Sequence, residues 1–428
     1  MNLPAKKVLI ITYYWPPAGG PGVQRWLKFV KYLPAFQVQP IVYIPSNPTY
    51  PIIDKNLVNA VASNTIILKH TIVEPYGFAS LFSKSKTKNI SSGIIPNLKK
   101  QSLFVQFLLW IRGNIFIPDA RFLWVNPSVR YLKKYIIEHQ IETIITSGPP
   151  HSLHLIGLKL QQSLPLKWVA DFRDPWTTIG YHKELKLSNY AQKKHKALEK
   201  KVLNAANQII VTSKTTKTEF QAITNKPIAV ITNGFDLEST ENQPLDAKFS
   251  VAHIGSFLSE RNPKSLWQAL SELCNELENF KNDLQIKIIG ASSEIVLQTL
   301  SDFNLSANVL NLGYLPHDQA VQHQQKSQVL LLIEIDSPNT KSIIPGKLFE
   351  YMVSTRPILA IGPNESDFAE IIQKTQTGTF FEYHQKQQIK EKLTEYYKLY
   401  RTQNLKVQPV HLEQYARKNL TYELSKLL

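Results

Sequence analysis

The segment Pro345-Gly346-Lys347-Leu348-Phe349-Glu350-Tyr351 places an ammonium and a carboxylate three positions apart at the start of a helical pattern. Residues at that spacing share a helix face. Gly346 and Lys347 would present N–H groups and a cation to a diphosphate, and Glu350 could accept hydrogen bonds from the two hydroxyls of a ribose. The same residues also suit an ordinary amphipathic helix with a surface glutamate. Gly255-Ser256-Phe257 ends a strand pattern, and Arg261 and Lys264 follow it. A guanidinium fork takes two phosphate oxygens at once. Cations at a helix start oppose the helix dipole; a bound anion would remove that conflict, and a solvated helix end is the plainer alternative.

Three further segments stand at predicted strand ends. Trp15-Pro16-Pro17-Ala18-Gly19-Gly20-Pro21-Gly22 carries three of the chain's 16 glycines in four positions. Gly19, Gly20 and Gly22 would let backbone approach a ligand before a helix begins, although a rigid turn explains them too. The dinucleotide fingerprint is absent, because no glycine fills its third position and prolines intrude. In Ser147-Gly148-Pro149-Pro150-His151-Ser152, His151 could bind a sugar hydroxyl, shuttle a proton or cap the next helix. In Asp171-Phe172-Arg173-Asp174-Pro175-Trp176, two carboxylates flank an arginine, an arrangement able to orient hydroxyls or to stabilise a cationic centre. Such charges beside a buried strand are costly unless paired or used. His151, Asp171, Arg173 and Asp174 are the catalytic candidates.

These segments need a scaffold that brings strand ends to one edge. Short β-branched runs at Val8–Tyr13, Ile41–Ile44, Thr65–Leu68, Thr143–Thr146, Lys167–Asp171, Gln208–Thr212 and Ile228–Ile231 alternate with helical patterns such as Gln24–Leu33, Ser152–Gln162, Leu187–Ala205 and Lys214–Ala222. A second series runs from Phe249–Ile254 to Pro357–Ile361. Continuous apolar strands separated by helices predict parallel sheets covered on both faces. The expectation is an α/β chain of two doubly wound domains facing a cleft, in whose crevice the strand ends lie. The domains fall at 1–235 and 249–410 with a polar linker at 236–248, and 411–428 forms a separate helical pattern.

The 428 residues exceed one core, and 43 % hydrophobic with 19 % charged residues indicates a folded chain. Lys plus Arg is 49 against 33 Asp plus Glu, a net +16 that favours anionic partners: nucleic acid, a phospholipid surface or a phosphorylated small molecule. The cations are spread over both halves without a zinc finger, RRM or basic zipper, which argues against nucleic acid. One cysteine, Cys274, excludes an intramolecular disulfide and a multi-cysteine metal cluster and fits a reducing, cytoplasmic setting. No export signal or membrane-spanning run is evident. The Ser-, Lys- and Asn-rich stretch 80–100, followed by the aromatic piece Leu103–Trp110, reads as a loop and core helix or as a surface meeting lipid. The basic helix with Lys193, Lys194, Lys196, Lys200 and Lys201 reads as a solvated face or a phospholipid contact.

With these motifs in order, the chain resembles the retaining glycosyltransferases of family four, which have the GT-B fold, and most of all the bacterial members that build capsule, lipopolysaccharide or exopolysaccharide. The resemblance rests on Gly19–Gly22, Thr232-Asn233-Gly234-Phe235-Asp236, the Gly255 turn with Arg261, Pro345 to Glu350, and Arg356-Pro357. It implies two Rossmann-like domains, with the last helix crossing back to complete the first. It implies a UDP- or GDP-sugar donor held mainly by the C-terminal domain: Glu350 on the ribose, Arg261 on the diphosphate, Lys347 assisting, Gly19–Gly22 approaching from the other domain. It further implies front-face transfer with retention, no metal or other cofactor, and a lipid-linked or saccharide acceptor reached from the cytoplasm, with peripheral contact to an anionic membrane. A nucleotide-sugar epimerase of the same fold is the alternative. Two positions depart from the family pattern. Ser342 stands where a first glutamate precedes Glu350 by eight, and the Asp171–Asp174 segment stands where a histidine is usual, so that Arg173, Asp174 or His151 would take its role.

Overall fold

The computed structural model describes residues 5–74, 103–236 and 243–428. It comprises two units, Met1–Asn233 with Arg417–Leu428, and Gly234–Ala416. In the first, strands β1 (Lys6–Ile11), β2 (Val38–Pro45), β3 (Ile66–His70), β4 (Thr143–Gly148), β5 (Lys167–Phe172), β6 (Gln208–Val211) and β7 (Ile228–Val230) form one sheet in the order β3-β2-β1-β4-β5-β6-β7. Every pairing is parallel, for example Val8 opposite Thr143 and Ile11 opposite Thr146. Alternate residues of a strand face opposite sides of its sheet. Leu9 and Ile11 accordingly join a core with Ile144, Trp168 and Phe172, while Val8 and Ile10 join a second with Trp26, Phe29, Val30, Leu420 and Leu424. Both faces are covered, which is why these strands read as unbroken apolar runs.

The second unit repeats the design with β8 (Phe249–Ile254), β9 (Leu284–Ile289), β10 (Val309–Gly313), β11 (Val329–Ile333), β12 (Ile358–Gly362) and β13 (Gly378–Glu382), ordered β10-β9-β8-β11-β12-β13 and again parallel. In each unit the strand order reverses beside the first strand, between β1 and β4 and between β8 and β11. In such sheets the crevice for ligands opens outside the carboxyl ends at that reversal.

Some local details differ from the sequence expectation. The first helix, Pro21–Tyr32, begins three residues before Gln24, because Pro21 fits the first helical position, where its missing N–H costs nothing. The terminal pattern is broken: Leu412–Tyr415 is a single 3-10 turn, Ala416 is extended, and only Arg417–Ser425 is helical and packs in the first unit. The Phe235 N–H bonds to the Tyr415 carbonyl at 3.1 Å, which keeps both segments in the second unit and sets the division at Asn233 and Ala416, not at 235 and 411. The end of the polar 236–248 stretch is anchored, since Asp246 accepts from Ser250 Oγ at 2.6 Å and pairs with Lys287. The 80–100 stretch lies outside the described residues.

Candidate active site

In the second unit, β8 ends at Ile254 and the chain turns at Gly255 with φ +128, a conformation side chains rarely allow. A Cβ there would land on Lys347 Nζ, which donates to the Ile254 carbonyl. The glycine therefore gives an ammonium its seat directly above a strand end. Burial lowers the Lys347 pKa to about 8; nearby Glu350 opposes the shift and nearby Arg261 adds to it. Tyr351, one residue past Glu350, holds the same strand end by accepting from the Ile254 N–H at 3.1 Å.

Arg261 closes the 3-10 turn Ser259–Arg261 and contacts both carboxylate oxygens of Glu334, at 3.0 and 3.1 Å, through Nη2. The sequence reading expected an unsatisfied cation awaiting an anion; the structure supplies an internal one. His253, two residues before the turn, is buried, its ring tilted by 33° against that of Phe257 with centroids 4.2 Å apart. Its pKa is pushed to about 3 by burial, then by the positive fields of Lys347 and Arg261. One neutral ring thus feels both cations, so Arg261 and Lys347 act on the same small volume. Glu350, in the first turn of Lys347–Met352, is half-buried, and among the described residues no donor holds its carboxylate. Gly346 precedes that helix, which has only six residues, so the grip on an anion falls to the two cations more than to a helix dipole. Ser256 is exposed beyond the turn, and Lys264 is exposed at the start of Lys264–Glu276.

In the first unit, the Gly19–Gly22 loop and the Asp171–Asp174 segment meet. Gly19 N–H bonds to the Ile52 carbonyl at 2.9 Å, and Gly20 has φ +100 before the helix. A Cβ on Gly22 would land on Arg173 Nη1, so the glycine admits the guanidinium against the first helical turn. Arg173 also lies over the Tyr14 ring at 5.8 Å and contacts Asp174 at 3.3 Å, whose side chain is 41 % exposed. Its backbone is fixed by the Gly148 carbonyl at 3.0 Å and by Thr212 Oγ1 at 2.8 Å.

Two catalytic assignments are corrected here. Asp171 is fully enclosed: Arg25 Nη2 at 2.8 Å, Trp26 Nε1 at 2.9 Å and Ser147 Oγ at 2.8 Å all donate to it. Its carboxylate ties β5 to β4 and to the first helix, so no oxygen is left for substrate. His151 is 3 % exposed and stacks on Trp176 at 4.9 Å. Burial, then the fields of His154, His182 and Arg173, hold its pKa well below the usual range, so the ring is neutral, and its enclosure keeps it from a substrate. It does not cap its helix either; Asp119 does, accepting from Ser152 N and Oγ at 2.8 and 2.9 Å. Arg173 and Asp174 remain the accessible pair. The sequence reading missed Glu334 and His253, although an acidic residue directly after the apolar run Val329–Ile333 was a usable signal.

Comparison with known proteins bears on these two sites. The family described as Glycosyltransferase Family 4 matches residues 97–239, and Glycosyl transferases group 1 matches residues 236–418. No curated protein sequence matches. Among solved structures, the apo lipopolysaccharide outer core galactosyltransferase WaaB is 13 % identical with a TM-score of 0.61, over 99 % of this chain and 98 % of that one. TarM from S. aureus, solved with UDP, is 12 % identical with a TM-score of 0.57, over 99 % of each chain. A putative UDP-N-acetylglucosamine 2-epimerase from Listeria monocytogenes is 10 % identical with a TM-score of 0.52, over 98 % of this chain and 95 % of that one. With the two family matches running consecutively through both doubly wound units, the chain belongs to the family 4, group 1 glycosyltransferases of the GT-B fold.

Proposed function

We propose that this glycosyltransferase moves a sugar from a UDP- or GDP-sugar to a lipid-linked or saccharide acceptor, with retention and without a metal, in the making of a cell-surface polysaccharide. The observation that carries the reading is the convergence of Arg261, Lys347 and the open Gly255 turn at the β8–β11 reversal. A departing nucleoside diphosphate gains negative charge in the transition state, and fixed cations in a partly desolvated site stabilise it. Lys347 can leave the Ile254 carbonyl for a phosphate oxygen, and Arg261 holds a second. This pair would do the work of a divalent ion, on which the metal-independent reading rests. Glu350 would take the ribose hydroxyls, since its carboxylate has no other donor among the described residues. Arg173 and Asp174 would orient an acceptor in the first unit. TarM, solved with UDP, supports the choice of donor class.

Peripheral contact with the inner face of an anionic membrane belongs to the proposal. It rests on exposed Phe107, Trp110, Ile115 and Leu123, and on the exposed lysines of Asn189–Ala205. Among the described residues no helix is long and apolar enough to cross a bilayer. The test of the reaction is product analysis with radiolabelled UDP- and GDP-sugars, EDTA present and absent. Label on an acceptor with release of free nucleoside diphosphate supports transfer; an isomerised donor with no transfer would make the chain an epimerase. Turnover that vanishes with EDTA and returns with Mg²⁺ or Mn²⁺ refutes the metal-independent part.

A further inference from the structure

Glu334 directly follows β11, the strand that flanks β8 at the reversal of the second sheet. Its side chain is 1 % exposed, whereas that of its partner Arg261 is 26 % exposed. The carboxylate is held from more than one side. Ile335 N–H donates to Oε1 at 2.8 Å, Arg261 Nη2 bonds both oxygens, and Tyr383 Oη fixes the Glu334 carbonyl at 2.9 Å. Burying a carboxylate at a strand end is costly without such partners. Both contacts to Arg261 use one nitrogen, and the buried Nε has no partner. The pairing fixes the guanidinium and leaves its remaining donors uncommitted.

We propose that Glu334 is a positioning residue for the donor diphosphate, acting through Arg261, which it clamps by Nη2 so that the other donors meet the phosphate. The inference rests on the nucleotide-sugar reading of this site and deepens it. Two effects compete. A negative charge near the site repels an anion, but this one is buried behind the more exposed guanidinium, so the anion meets the positive end of a fixed pair. Against that, a long arginine on a three-residue 3-10 turn, released from its clamp, regains the rotamer freedom that binding must again remove. The loss of orientation therefore dominates.

The test is calorimetric titration of UDP and GDP, with UMP and GMP as comparators, into the full chain and its Glu334→Gln, Arg261→Met and doubly substituted variants. Glu334→Gln should weaken the bound nucleoside diphosphate about tenfold, or ~1.4 kcal/mol, and the monophosphate less than twofold. In the Arg261→Met background it should add nothing, the mark of action through one group. Steady-state donor KM should rise while kcat at saturation holds within about twofold. Equal or tighter diphosphate binding by Glu334→Gln, or losses that add in the double variant, would overturn the proposal. Should Glu334→Gln fail to fold, Glu334→Asp keeps the charge but withdraws its reach, and the same diphosphate-selective loss is expected; its absence is equally decisive. Wild-type binding by Arg261→Met would instead refute the donor-site reading itself.

Discussion

The Lys347 ammonium makes donor binding a titration. Seated beneath Gly255, it has a pKa of about 8, against the ordinary 10.5. A bound diphosphate favours the charged form, so in the complex its pKa rises. The free enzyme must then take up a proton before or as it binds whenever pH exceeds about 8. The sign is fixed: affinity is full below the free-state value and declines above it until the bound-state value is passed. With a free value of about 8, the protonated fraction falls from about 0.9 at pH 7 to about 0.09 at pH 9, so Kd should rise about tenfold across that interval. Isothermal titration of UDP at half-unit steps from pH 7 to 9 measures this. Repeating it at pH 8.5 in buffers of different ionisation enthalpy should reveal uptake of about three-quarters of a proton per nucleotide. Lys347→Arg, which stays charged, should bind with a flat profile, and Lys347→Met should bind weakly at every pH. A flat wild-type profile, or a slope that survives in Lys347→Met, refutes the assignment of this lysine to the phosphate.

Further outcomes are open to measurement. Asp171→Asn strips the counterion from buried Arg25 and should cost about 3–5 kcal/mol of first-unit stability, read as a shifted urea midpoint; an unchanged midpoint with lost activity would restore a catalytic role. Gly255→Ala puts a methyl on Lys347 Nζ at φ +128 and should abolish UDP binding while β8 and its neighbours stay folded by circular dichroism. Glu350→Ala should raise the Kd for UDP and spare that for pyrophosphate, because only the nucleoside carries ribose hydroxyls; equal losses for both ligands would contradict the ribose role. Gly22→Ala should displace Arg173 and lower kcat/KM toward the acceptor, and acceptor kinetics identical to wild type would sever the glycine loop from that residue.

The scaffold was legible because its signal is local. Apolar runs such as Val8–Ile11 and Val329–Ile333 have no polar face to hide in a fully covered parallel sheet. The trio Gly255, Arg261 and Lys347 was readable as strand end, turn and helix start. Asp171 was misjudged because what settles its role lies far away in the chain. Arg25 is 146 residues distant, and only the β4–β5 pairing brings Ser147 alongside. An aspartate at a strand end looks the same in sequence whether its oxygens are occupied or open. Glu334 was overlooked for the mirrored reason: it becomes relevant only once β11 is known to lie next to β8. His151 looked reactive from its turn, yet Trp176 and Phe172 close over it.

The placement of Arg417–Leu428 in the first unit has a consequence for biosynthesis. The chain's last dozen residues supply Leu420, Leu424 and Leu428 to the face formed by Val8, Ile10 and Trp26. A ribosome therefore completes the second unit while the first, translated earlier, still shows an uncovered apolar stripe. Chains that stop after Ala416 carry that stripe permanently, so premature termination near the carboxyl end yields an aggregation-prone product although every strand of both sheets has already been made.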